Sequence, residues 1–350
     1  MNKILIIVVL FFITSCDKGD AVRDFDATFQ RIQKISSIEF LKKELLLGRP
    51  YYINYVDSSL LVYDDLGDSL FTLIDLRDDT NSIYCFGRKG EGPNEFLQVF
   101  SMSRLCDDSL IGVYDVYKHA LLEMNIHQIK KGNVEFPLIA EDSLNSVNLY
   151  VTKYGTNLGV GFYEKNMLSL TGDSIGSKLF FEYPYKDSRE KKIDNRLRGM
   201  AYQGTMCSNP SLDNFVFAIR SAPIFFLYSI KKDKIEETYK WLGGYPDYRT
   251  EDTGTVRGAP MSAHNKIAFV SVYATDKYIY LLYSGKSFEE YNVKAFNGSI
   301  IYQMTWEGKP VCKYELDFPI MNFCVSDTDS EIYAFADKGE AILVKYLLEK

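Results

Sequence analysis

Past its first sixteen residues the chain has no apolar run approaching the roughly 20 residues that a membrane-spanning helix needs. It has no surplus of positive charge either. With 40 basic and 47 acidic side chains the net charge is −7, which argues against a nucleic-acid partner, since phosphate binding is driven by clustered Lys and Arg. Histidine is scarce: His119, His127 and His264 have no HExxH or other ligand spacing, so no histidine-lined metal site is expected. There is no Gly-x-Ser-x-Gly elbow for a nucleophilic serine and no CxxC pair for zinc or redox work. Beyond residue 50 no stretch keeps a 3.6-residue apolar period for three turns, which excludes a helical domain.

The first sixteen residues carry the clearest signal. Lys3 precedes an apolar segment of ten residues, Ile4 to Ile13, and Thr14-Ser15 leads into Cys16. A short basic start, an apolar core and small residues before a cleavage point describe a secretory signal. Its ending on Ile-Thr-Ser-Cys resembles a bacterial lipoprotein signal, in which the new N-terminal Cys16 carries acyl chains. The expectation is an exported protein cut before Cys16 and held to the outer membrane by lipid, on its periplasmic or surface face. Residues 1–15 would be the signal and 16–35 a polar tether. Without Lys3 the 39 basic residues that remain face 47 acidic ones, so lipid rather than charge must hold the membrane. Five further cysteines, Cys85, Cys106, Cys207, Cys312 and Cys324, sit among apolar neighbours and read as core filler.

Residues 36–350 form the expected folded domain. Ser36-Ser37-Ile38-Glu39 has the spacing of a capping box, and Gly48 would end a helix begun there. The same leucines pack equally well as a first strand. From residue 50 the texture is all β. Runs such as Tyr51 to Val56, Leu70 to Leu76, Leu110 to Asp115, Phe215 to Ile219 and Tyr278 to Tyr283 are β-branched or aromatic and bounded by turn formers. They recur in a larger unit of acidic turn, strand, short turn and strand. One copy is Asp108-Ser-Leu-Ile-Gly-Val-Tyr-Asp115 with Leu121 to Ile126. Others are Asp213-Asn-Phe-Val-Phe-Ala-Ile-Arg220 with Ile224 to Ile230, and Asp329 to Asp337 with Ala341 to Leu347. About 300 residues divided by 40 to 50 per blade gives a β-propeller of six or seven blades.

Two segments resemble a known family. Phe86-Gly87-Arg88-Lys89-Gly90-Glu91-Gly92-Pro93-Asn94-Glu95-Phe96 is similar to the Gly-x-Gly-Pro-Gly-Glu-Phe segment of the TolB-like six-bladed β-propeller lipoproteins of Bacteroidota. Trp306 to Asp317, followed by Ile320, the Val325-Ser-Asp turn and Ile332-Tyr333-Ala334, resembles that family's last blades. The resemblance implies six blades and an envelope location, and carries no catalytic residues. Asn94 departs from the family's glycine, and Asn is the best non-glycine residue where φ is positive.

Three segments are candidates for contact. The Gly87 to Phe96 loop has the look of a phosphate cradle but lacks the Gly-Lys-Ser/Thr that follows one, and reads as a turn between blades, with Arg88 on its edge. The long segment Trp241 to His264 offers Tyr245, Tyr248, Arg249 and Arg257, whose flat faces and guanidinium forks suit a sugar, a peptide or a carboxylate. Lys186 to Arg198 is a basic island, read as a solvated loop or as a rim for an anion. The expected role is a non-catalytic module binding a glycan, peptide or envelope protein. The alternative is an envelope hydrolase or lyase working in the channel on glycan or peptide, with Ca²⁺ held by scattered Asp, Asn and carbonyl oxygens. No other cofactor is implied.

Overall fold

The computed structural model describes residues 25–41, 45, 47–78, 80–254 and 257–349. The signal segment and Cys16 lie outside them. Short antiparallel strands follow one another in the order in which they pair, which builds four-stranded meanders. The first blade runs from Pro50 to Phe86, the second from Val99 to Glu141, the third from Asn148 to Phe180 and the fourth from Gly204 to Leu242. The fifth starts at Phe269–Ala274 and the sixth ends at Ala341–Leu347. One continuous strand, Pro310–Val325, is the outer strand of blade 5 in its first half and the innermost strand of blade 6 in its second, so two blades share one hydrogen-bonded sheet. Six blades result, and the all-β reading holds.

The ring is closed by its N-terminus. Ile38–Glu39 pairs antiparallel with Ala341–Leu347 as the outer strand of blade 6, and Ile32–Ile35 adds in parallel to Pro310–Val325. Residues 25–35, expected as tether, are therefore part of the propeller. Phe25 and Phe29 are both buried and pack against Phe225, Trp241 and Tyr302 across blades 4 and 5. The Asp26 carboxylate accepts from the Tyr302 hydroxyl at 2.9 Å and pairs with the buried Lys313 ammonium at 2.9 Å. Of the two readings of the segment after Ser36, helix or first strand, residues 38–39 are a strand, while residues 42–44 and 46 lie outside the described ones. Ser37 gives its backbone N–H and its hydroxyl to Asp317 instead of capping a helix. A strand partner won because an open blade edge needs one.

The Gly87 to Phe96 segment is a self-contained crossing between blades 1 and 2. Glu95 Oε2 accepts the Gly92 N–H at 2.9 Å, and Lys118 Nζ donates to the carbonyls of Gly92 and Glu95, each at 2.8 Å. A Cβ at Gly90 would stand 2.1 Å from Glu95 Oε2, so the glycines make room for the chain's own carboxylate. Asn94 does not adopt positive φ. Its side-chain oxygen accepts the Phe136 N–H at 3.3 Å, a bond glycine cannot make.

All five later cysteines are free thiols. Cys312 and Cys324 fill the core as expected, whereas Cys85 and Cys106 are exposed and Cys207 is half-buried. Cys85 lies on an outer strand, where alternate side chains face solvent. Native alkylation of a chain starting after Cys16 should label Cys85 and Cys106 and spare the other three. A third label, read by mass spectrometry, would contradict this packing.

Candidate ligand-binding channel

The innermost strands of the six blades surround a cavity of about 810 Å³. Within that ring each strand presents one edge that no further strand can cover, and the side chains of neighbouring blades cap it. The Tyr52 hydroxyl of blade 1 and the Asn148 amide of blade 3 both donate to the Phe100 carbonyl of blade 2, each at 2.6 Å. Ser101 donates to Leu149 at 3.0 Å, Tyr150 to Met206 at 3.0 Å, and Asn322 to Tyr51 at 2.6 Å. These bonds tie adjacent blades and satisfy main-chain carbonyls away from bulk water.

Part of the cavity wall is buried: Met102, Tyr150, Tyr273 and Phe323 line it, with the half-buried Cys207 beside them. Two residues beyond Met102 on the same strand, the nearly buried Arg104 is ion-paired with Asp327 of blade 6 and with Asp108 at 3.0 Å. Burial pushes the Cys207 thiol up to about 12, so it is inert as a nucleophile near neutrality.

Other lining residues reach solvent, and most of them are apolar or aromatic. Tyr51, Tyr117, Val293 and Met321 line the cavity and are exposed, Tyr117 at 68% and Val293 at 71%. Val293 and Phe296 come from helical turns at 288–296, between the second and third strands of blade 5. Phe162 and Tyr183 come from the long connections of blade 3. Among the charged residues of the lining, Arg49 donates to Asp65 Oδ1 at 2.8 Å, which leaves Arg220 as the remaining charge. Arg220 follows the second strand of blade 4. Its N–H donates to the Gln203 carbonyl at 2.9 Å, and its own carbonyl accepts the Ala268 N–H at 2.7 Å. Burial raises the pKa of Tyr52 on the opposite blade, and the positive charge of Arg220 works against that rise.

None of the five residues named from sequence lines this cavity. Arg88 is exposed on the glycine-rich crossing. Arg249 is paired with Glu251 at 2.8 Å and Arg257 with Asp252 at 3.3 Å, in a small two-stranded hairpin. Tyr245 is exposed, and Tyr248 packs edge-on against the buried Tyr202. The basic island is structure rather than a solvated loop at its key position. Arg198 is 1% exposed, donates to Glu182 at 3.1 Å and to Asn195 at 3.1 Å, and lies over the Tyr185 ring. Its replacement would test folding, not ligand binding. Arg196, two residues earlier in the same island, is exposed.

Sequence reasoning missed Arg220, although the signal was present. In the repeat copies Asp115 ends the strand of blade 2, and Arg220 stands in the matching place in blade 4. For a Ca²⁺ site the donors are wrong: Asp65 is the one carboxylate of the lining and is engaged by Arg49. Among the described residues no group of three or more His, Cys, Asp or Glu is arranged to hold a metal ion.

The TolB-like 6-blade propeller family profile matches residues 28–328. The chain belongs to this family. Among solved structures it is similar to a Bacteroides fragilis protein described as exported, at 11% identity with a TM-score of 0.54, covering 90% of this chain and 95% of that one. It is also similar to the calcium-binding protein regucalcin from Agrobacterium tumefaciens, at 10% identity with a TM-score of 0.48 over 91% and 95% of the two chains. No curated protein matches the sequence. This TolB-like propeller has no described helix long and apolar enough to cross a membrane.

Proposed function

We propose that this propeller is an exported, lipid-anchored binding module of the cell envelope, tethered through Cys16, that takes a ligand into its central channel without transforming it. The observation that carries this reading is the central cavity of about 810 Å³, within the 300–1,000 Å³ range typical of small-molecule sites. Its walls are aromatic rings and amides on rigid strands, which favours recognition without large motion. The signal segment and Cys16 support the anchor and the outer-membrane location.

The alternative, a hydrolase or lyase acting on glycan or peptide, would need paired carboxylates, a metal or an activated nucleophile in the channel. The lining offers Asp65, engaged by Arg49, and Cys207, held protonated by burial. Both point to binding.

The test is a thermal-shift screen of the mature chain against panels of glycans, peptides and small organic acids. A ligand at 100 times its Kd adds about 2.7 kcal/mol to stability. A shift that disappears when Thr205→Trp fills the channel supports the module. A shift that persists in that variant places the ligand elsewhere and removes this reading.

A further inference from the structure

The geometry points to a carboxylate-binding position at Arg220: the channel takes a small organic acid, with its carboxylate on the Arg220 guanidinium and an apolar, flat body against the aromatic wall. This rests on the channel being the binding site. Three observations carry it.

Arg220 stands where blades 1 and 2 carry a carboxylate with a defined job. In blade 1 the strand-ending Asp64 takes the N–H groups of Gly48 and Arg49, at 2.5 and 2.7 Å. In blade 2, Asp115 takes those of Leu97 and Gln98, at 2.6 and 3.3 Å. Each carboxylate pins the chain that leads into the innermost strand of its own blade. Blade 4 has a cation in that place, and its main-chain bonds to Gln203 and Ala268 do the pinning. The side chain is thereby released from a structural role and lines the channel.

Among the described residues the guanidinium has no partner. The other arginines that are buried or line the channel each hold a carboxylate: Arg49 holds Asp65, Arg104 holds Asp327, and Arg198 holds Glu182. Arg220 is half-buried and makes no hydrogen bond or ion pair with any described residue. A cation withdrawn from bulk water without a counter-charge costs free energy, and an incoming anion recovers it. The channel keeps neutral polar groups for the same ligand. The Thr205 hydroxyl and the Asn54 and Gln98 amides line it and have no hydrogen-bond partner among the described residues.

The charge count selects the anion. With Arg49 neutralised by Asp65, the lining offers one unmatched positive charge, which suits a monoanion and leaves a phosphate dianion under-compensated. A guanidinium fork matches the two oxygens of a carboxylate. Tyr52, Phe100, Tyr150, Phe162 and Phe296 then face the body of the ligand, and the exposed apolar residues of the lining receive what extends beyond it.

The experiment is calorimetric titration of the mature chain with N-acetyl-L-phenylalanine, its C-terminal amide, and glucuronate as a polar acid. The acid is expected to bind, and the amide about tenfold or more weaker, since a hydrogen bond to a charged group is worth more than one such factor. Arg220→Met should weaken the acid by the same factor, leave the amide unchanged and not lower the melting temperature, because the side chain holds nothing in the fold and its uncompensated charge is removed. Equal binding of acid and amide, in wild type and Arg220→Met alike, overturns the carboxylate assignment while the binding module stands. Glucuronate binding through Arg220 where the aromatic acid fails overturns the apolar body. No acid bound at millimolar concentration by the folded protein overturns the inference, and a ligand from the wider screen that is lost in Thr205→Trp still keeps the module.

Discussion

A chain starting at Leu41 should fail to unfold as one cooperative transition and should bind a hydrophobic dye at room temperature. Removing residues 25–40 strips the outer strand from blade 6 and the parallel fifth strand from blade 5. It uncovers Phe225, Trp241 and Tyr302, and leaves the buried Lys313 ammonium without Asp26. Each buried Phe is worth about 3–5 kcal/mol against Ala. Losing Phe25 and Phe29 together with a buried ion-pair partner thus rivals the roughly 5–15 kcal/mol that holds an ordinary domain. A graded version keeps the test readable. Phe25→Ala alone should cost about 3 kcal/mol or more by denaturant titration and leave the m-value unchanged. A truncated chain melting like the whole protein would show that the ring closes without its N-terminus.

The second large effect is expected at Asp115. Its side chain is fully buried, and its oxygens accept four backbone N–H groups, from Leu97, Gln98, Tyr117 and Lys118. Asp115→Ala removes the acceptor of all four; the N–H groups of the half-buried Leu97, Gln98 and Lys118 are shielded more than that of the exposed Tyr117, and each donor left unsatisfied away from water costs about 1–3 kcal/mol. We expect a loss of about 4 kcal/mol or more, large for one substitution. Asp115→Asn keeps an acceptor and should lose less. Asp233, at another hairpin, pairs on the surface with Lys178 and is 58% exposed. Asp233→Ala should leave the denaturation midpoint almost unchanged, since an exposed ion pair is screened by water. Equal losses at the two positions would show that Asp115 does not organise the crossing between blades. Denaturant titration of the three variants decides it.

These two sites mark how far the sequence was readable. The strands visible in it, such as Leu110–Asp115 and Ile224–Lys231, are middle strands buried on both faces, so they read as unbroken apolar runs. Of the inner strands, Pro50–Val56 was visible, whereas Val99–Arg104 and Gly204–Ser208 were hidden by polar or small residues such as Ser101, Ser103, Thr205 and Ser208. Outer strands were hidden because their alternate residues are solvated, as in Lys234–Leu242. The long segment after Trp241 attracted attention through its aromatic residues and arginines. Its charges are spent on Glu251 and Asp252, a pairing that no spacing rule reveals.

By itself the sequence determined the class of the fold, the blade period and the family, because buried middle strands and acidic turns repeat at short range. It also held the departure at Arg220, written in the alignment of its own repeats. Only the tertiary structure decided that residues 25–39 belong to the ring, that Arg198 is a buried strut, and that Arg220 lines the central cavity. Those facts depend on which blades become neighbours when the ring closes. That closure brings together residues as distant in sequence as Arg104 and Asp327, and local patterning has no means of recording it.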